Sequence, residues 1–192
     1  MKLGIIVPQD SHFHVVQKVI EKDFPDIHPA FFYYDDYKDS VSLLKNKQDE
    51  FDGLLFSGSS PYDYARHYLM QTIPWDFLDR YSGSLLRAML EASLKGYDIG
   101  NISYDYYDLN AIADIYSEQH IQAKDIHFLS YRQMKETGEN VENYNEEIYE
   151  FHKDNWLNGK ISCCVTPCYM AMKWLQADGI PVIFVYPTAD IC

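Results

Sequence analysis

Two short segments set a hydroxyl and then a proline directly behind an apolar run: Ser60-Pro61 and Thr166-Pro167. A hydroxyl side chain is a favoured helix cap, and proline is a favoured first helical residue. A helix that starts this way offers unpaired backbone N–H groups at its positive end, and these accept a carboxylate or a phosphate. Two such starts meeting on one ligand would recognise a small anion. Plain capping is the other reading, and the sequence leaves both open. Ligands in open α/β sheets sit beyond the carboxyl ends of the strands. That rule extends the candidates to Asp10, Ser11, Tyr34, Ser57, Gly58, Ser59 and Ser60 in the first half, and to Tyr104, Tyr131, Thr166, Cys168 and Thr188 in the second. The carboxylate and hydroxyl groups would supply polar contacts. Tyr34, Tyr104 and Tyr131 would add flat walls with one hydroxyl each. Asp10 and Asp105 form the one carboxylate pair that the rule selects, although nothing near either in sequence would hold one of them protonated.

Several other chemistries lack their residues. Ser57-Gly58-Ser59-Ser60 has neither the Gly-Lys-Ser/Thr ending of a phosphate loop nor the glycine spacing of a dinucleotide site, so no cofactor is expected. No G-x-S-x-G, H-E-x-x-H or C-x-x-C occurs. Cys163 and Cys164 adjoin on an expected strand, where neighbours point to opposite faces. His12 and His14 fall on different sides of a helix, so no metal site is expected. Cys168 stands at a helix start, where a thiol can be acidified into a nucleophile; a buried, inert thiol is the plainer reading.

The elements that must position these residues alternate between short apolar runs and helical periodicity, the pattern of β-α units and parallel sheets. Strands are expected over Lys2 to Val7, His28 to Tyr34 and Asp52 to Phe56, and later near residues 98–104, 126–130, 161–165 and 181–186. Helices are expected from Asp10 or Ser11 to Phe24, from Lys38 through Phe51, and from Ser60, as the cap, to Met70. Further helices are expected over Ser84 to Lys95, Asp108 to Glu118, Asn145 to Asn158 and Cys168 to Ala177, with Gly96, Gly159 and Gly179 as stops. The segment Thr72 to Ser82, with Pro74 inside it, breaks the rhythm. The expected fold is therefore α/β, with two Rossmann-like lobes, parallel sheets and an interlobe cleft. Residues 1–72 make the first lobe, 73–83 the crossover and 84–186 the second lobe, while 187–192 begin a return segment or a linker.

At 192 residues the chain can bury roughly 70% of its unfolded surface and needs no covalent staples. Sixteen Lys and Arg against 29 Asp and Glu give a net charge of −13, a poor match to nucleic acid or an anionic membrane. The uncharged stretch Ile161 to Met172 is 12 residues long, short of the roughly 20 that a spanning helix needs. Leu3 to Val7 is too short for a signal peptide. The four cysteines crowd into the last 30 positions, where a disulfide framework would spread them out. Reduced thiols and a cytoplasmic location are expected.

The opening Leu3-Gly4-Ile5-Ile6-Val7-Pro8-Gln9-Asp10-Ser11 and the stretch Phe51-Asp52-Gly53-Leu54-Leu55-Phe56-Ser57-Gly58-Ser59-Ser60-Pro61-Tyr62 resemble the N-terminal sensor domains of bacterial transcription regulators. So does the closing strand–helix–strand, from Ile161-Ser162-Cys163-Cys164-Val165 through Gly179-Ile180-Pro181-Val182 to Pro187-Thr188. The group is similar to the effector domain of propionate-catabolism regulators, which has a two-lobed, periplasmic-binding-protein-like fold. The resemblance implies a small-molecule effector that closes the lobes, a separate downstream domain for contact with DNA, and no catalytic residues. It also implies a return segment and an output domain beyond Cys192. A homodimer is compatible with this reading, and a pure dimerisation module is a third. The second reading is an enzyme. A two-lobed α/β protein with Cys168 is similar to the aspartate/glutamate racemases, which use one thiol from each lobe. The first lobe here has no cysteine, so a racemase- or lyase-like reaction would need a non-thiol partner for Cys168.

Overall fold

The structure, a computed structural model, describes residues 1–10, 14–78, 82–106, 109–123, 125–130 and 141–186. The chain divides into two compact units, Met1–Tyr81 with Tyr186–Cys192, and Ser82–Val185. Each carries one four-stranded, all-parallel sheet.

The first sheet has the order β2-β1-β3-β4, with β1 at Lys2–Pro8, β2 at His28–Tyr34, β3 at Gly53–Phe56 and β4 at Trp75–Phe77. Its helices are α1 (His14–Asp23), α2 (Asp39–Leu44) and α3 (Ser59–Tyr68). Ile5, Ile6 and Val7 are buried in succession, as expected of a strand covered on both faces. Gly4 is required by a close approach: a Cβ there would come within 2.5 Å of Leu54 Cδ2 on β3. Two features differ from expectation. Asn46, at φ 61°, ends α2 early, and a 3-10 turn over Gln48–Glu50 completes the connection. The segment around Pro74 holds β4, whose backbone pairs in parallel with β3.

The second sheet repeats the order as β6-β5-β7-β8, with β5 at Ile102–Tyr106, β6 at His127–Ser130, β7 at Cys163–Thr166 and β8 at Val182–Phe184. Around it run α4 (Ser82–Leu94), α5 (Leu109–Glu118), α6 (Tyr144–Leu157) and α7 (Tyr169–Ala177). The expected stops hold: Gly96, Gly159 and Gly179 take φ of 83°, 65° and 72°. In each case the next residue's N–H reaches back over the helix end, as Tyr97 does to the Ala92 carbonyl at 3.0 Å. Strand alternation sorts the side chains. Ile102, Tyr104, Cys163 and Val165 share a core with α4 and α5, namely Leu85, Met89, Ile112 and Tyr116. Cys164 faces the other way, into a cluster with Leu175 and Ile180. The expected fold class, α/β with two Rossmann-like lobes and parallel sheets, is the one observed.

Candidate functional site

Each unit gathers polar residues where its strands end. In the first unit, Tyr34 closes β2 and Ser57 follows β3, both buried, with Tyr34 Oη 3.0 Å from Ser57 Oγ. Ser57 also donates its backbone N–H to the Ile6 carbonyl at 2.8 Å. The pair ties two strand ends together and fixes the entry to α3. Asp10 follows β1, its N–H donated to the Pro8 carbonyl at 2.8 Å.

Neither expected hydroxyl cap is one. Gly58, with extended backbone, is the residue before α3, and no side chain caps that helix. Ser59, Ser60 and Pro61 are its first three helical residues. Pro61 fits there because first-turn N–H groups have no partner within the helix, so proline forfeits nothing. Thr166 is the last residue of β7, fully buried, and the residue before α7 is Cys168, again without a side-chain cap. The Thr166 hydroxyl instead accepts the Cys168 N–H at 3.0 Å, closing the short turn across Pro167.

Tyr104 is also corrected. It stands on the α4/α5 face of β5, fully buried, with its hydroxyl 3.0 Å from that of Tyr116. Tyr116 in turn donates to the Ile99 carbonyl at 2.6 Å. Burial raises the Tyr104 phenol far above its ordinary range, with the neighbouring Tyr116 as a further cause. A tyrosine spent this way is a core residue. Ser11, Tyr131 and Thr188 lie outside the described residues.

The opposite face of β5 holds what the sequence reading missed. Ser103 and Asp105, two apart and therefore on one face, both reach His152 of α6. Ser103 Oγ is 2.6 Å from His152 Nδ1, and His152 Nε2 is 2.8 Å from Asp105 Oδ1. Ser103 and His152 are fully buried and Asp105 nearly so. One assignment satisfies the chain: Nε2–H donates to the carboxylate, and Nδ1 accepts the Ser103 hydroxyl proton. Burial pushes the Asp105 carboxyl above its ordinary 3.8, while His152 and, more weakly, Thr166 pull against it. Asp105 Oδ2 is enclosed and makes no close, well-aligned hydrogen bond among the described residues, although the Thr166 hydroxyl is near enough to act on the carboxyl.

A second contact joins α6 to the start of α7. The Cys168 thiol donates to Asn145 Oδ1 at 3.2 Å, and both residues are buried. The inward stripe of α6 thus reads Asn145, Ile148, His152 and Asn155, at steps of 3, 4 and 3. That stripe was the available signal: polar residues stand at core positions of an amphipathic helix, where apolar ones belong.

Serine, histidine and aspartate invite comparison with a hydrolytic triad. Here Ser103 is fully buried, and its hydrogen bond to His152 and that of His152 to Asp105 tie β5 to α6. Burial pushes the Cys163 and Cys164 thiols up to about 12, which makes both poor nucleophiles. Among the described residues, no three His, Cys, Asp or Glu side chains converge as a metal site.

No protein-family model matches the chain, and no curated protein matches it. Solved structures do. The chain is similar to an NtrC family transcriptional regulator from Clostridium acetobutylicum, at 15% identity and a TM-score of 0.65, over 98% of this chain and 88% of that one. The expected likeness to transcription regulators is therefore present at the level of fold. A LacI family transcriptional regulator from Enterococcus faecium, with bound ribose, matches at 13% identity and a TM-score of 0.39, over 97% of this chain and 76% of that one. An aspartate racemase from Picrophilus torridus matches at 14% identity and a TM-score of 0.33, over 96% and 89%. Scores that low carry no argument for either.

Proposed function

We propose that the chain is the small-molecule sensing domain of a transcription regulator, reading a small anionic metabolite that also carries a hydrogen-bond donor. The observation that carries this reading is Asp105: a buried carboxyl at the end of β5, held on one oxygen by His152, its other oxygen making no close, well-aligned hydrogen bond among the described residues and having only the Thr166 hydroxyl near the carboxyl. A buried acceptor without a donor costs about 1–3 kcal/mol, and such costs concentrate at functional sites. A ligand O–H or N–H meeting Oδ2 would remove that cost. In the second unit Thr166 and Tyr131 are further proposed contacts; in the first, Asp10, Ser11, Ser59 and Ser60 are proposed polar contacts, with Thr188 beyond the second unit. Ligand binding would bias an output domain by population shift. Cys163, Cys164 and Cys168, none of them in a disulfide, fit a cytoplasmic setting.

The catalytic alternative through Cys168 is the weaker reading, because its thiol proton is engaged by Asn145. Thermal unfolding of the chain against a panel of small hydroxy-, amino- and unsubstituted carboxylates tests the proposal. Ligand at 100 times its Kd stabilises by about 2.7 kcal/mol, so at least one donor-bearing acid raises the unfolding temperature by several degrees. A flat panel contradicts a sensing role for small acids.

A further inference from the structure

The negative charge of Asp105 has no fixed cation beside it in the second unit. The residue is nearly fully buried, and its one ion-pair partner among the described residues is His152. With the Ser103 hydroxyl proton on Nδ1 and Nε2–H on the carboxylate, that imidazole is neutral. Cys164, opposite Ser103 in the strand register, has its thiol pushed up to about 12 and so adds no charge to this face. The Thr166 hydroxyl near the carboxyl is neutral as well. The lysines of the two helices over this face are committed elsewhere. Lys153 of α6 pairs with Asp178 at 2.9 Å, and Lys173 of α7 lies over the Tyr169 ring at 5.2 Å from its centre.

A carboxylate kept from water is stabilised most by a group that brings both a hydrogen bond and a positive charge. A ligand hydroxyl supplies only the hydrogen bond. A ligand carbonyl supplies neither and would set acceptor against acceptor at Oδ2. We propose that Asp105 selects a primary ammonium group, so that the ligand is an amino carboxylate in preference to the hydroxy or oxo acid of the same skeleton. The inference rests on the reading of Asp105 as a ligand contact and narrows the donor that it meets. The carboxylate of such a ligand remains its anionic end. Its ammonium group lowers the net charge that must approach a chain of −13, which a hydroxy or oxo acid cannot do.

Isothermal titration of the full chain at neutral pH with three matched trios tests it: alanine, lactate and pyruvate; aspartate, malate and oxaloacetate; phenylalanine, phenyllactate and phenylpyruvate. In at least one trio the amino acid is expected to bind, the hydroxy acid at least about 10-fold more weakly and the oxo acid at least about 100-fold more weakly. In Asp105→Asn, whose amide oxygen still accepts Nε2–H, the advantage of the amino acid over the hydroxy acid shrinks to within about 3-fold. A hydroxy or oxo acid that binds as tightly as its amino counterpart overturns the inference and leaves the sensing role standing. An amino-acid preference that survives intact in Asp105→Asn does the same. If all three trios are silent while another small acid raises the unfolding temperature, the inference falls alone; if no small acid does so, the sensing role falls with it. Imidazole nitrogen NMR of the unliganded chain adds a check that needs no ligand. His152 is expected in its neutral Nε2–H form at neutral pH, and an imidazolium there overturns the charge argument.

Discussion

Asp105 and His152 depend on each other. Removing one partner of a buried polar pair strands the other, at a typical cost of about 3–5 kcal/mol. His152→Ala is therefore expected to destabilise the second unit by about that amount in urea unfolding, and Asp105→Asn by much less, because the amide oxygen still accepts Nε2–H. Equal losses would mean that the carboxylate charge itself holds α6. The pH dependence follows from the direction of the shift. A carboxyl held above its ordinary 3.8 in the fold binds more protons folded than unfolded. Its contribution is fully present below that value and is lost as pH rises through the folded value. Wild-type stability relative to Asp105→Asn should accordingly fall as pH climbs from about 4; a difference that grows with pH would contradict the direction. The cysteines give a third test at this scale. With both thiols pushed up to about 12, Cys163 and Cys164 should resist iodoacetamide at pH 8 in the native protein and react once it is unfolded. Prompt labelling of either in the native state would show that their strand is not enclosed.

Local chemistry made some elements legible in the sequence and hid others. Gly96, Gly159 and Gly179 announced three helix ends because a left-handed residue is needed there and glycine adopts it freely. The end of α5 gave no such sign: His120 takes φ 53° in the same role, and Ile121 closes the turn onto the Tyr116 carbonyl. The short β4 lay hidden behind Pro74, whose carbonyl accepts the Leu54 N–H at 3.0 Å as the strand begins. Ser60 and Thr166 were misread as caps because a hydroxyl before a proline suits the first turn of a helix, a tight turn and a cap alike. His152 was beyond local reading, since only the fold places it against Ser103 and Asp105, almost fifty residues away in sequence. One element-scale requirement is sharp. A Cβ on Gly100 would lie 2.3 Å from the Gln122 carbonyl oxygen, an atom of backbone. Gly100→Ala should cost about 1–3 kcal/mol in chemical denaturation, and a neutral result would mean that the turn before β5 yields easily.

For the molecule as a whole, the sequence carried the architecture well, because continuous apolar runs separated by helical periodicity admit few arrangements besides parallel sheets. Both units use one strand order, β2-β1-β3-β4 and β6-β5-β7-β8, and each ends its strands in a polar set. No helix among the described residues is long and apolar enough to cross a membrane. The acidic charge argues against direct contact with DNA, which in the proposed regulator falls to a separate domain. The central claim is that Asp105 meets a ligand. Isothermal titration of the acid that most raises the unfolding temperature, into the wild type and into Asp105→Asn, tests it most directly. The account predicts at least about a 10-fold weaker Kd in the variant, with the circular dichroism spectrum unchanged. Equal affinity in the two proteins would contradict it.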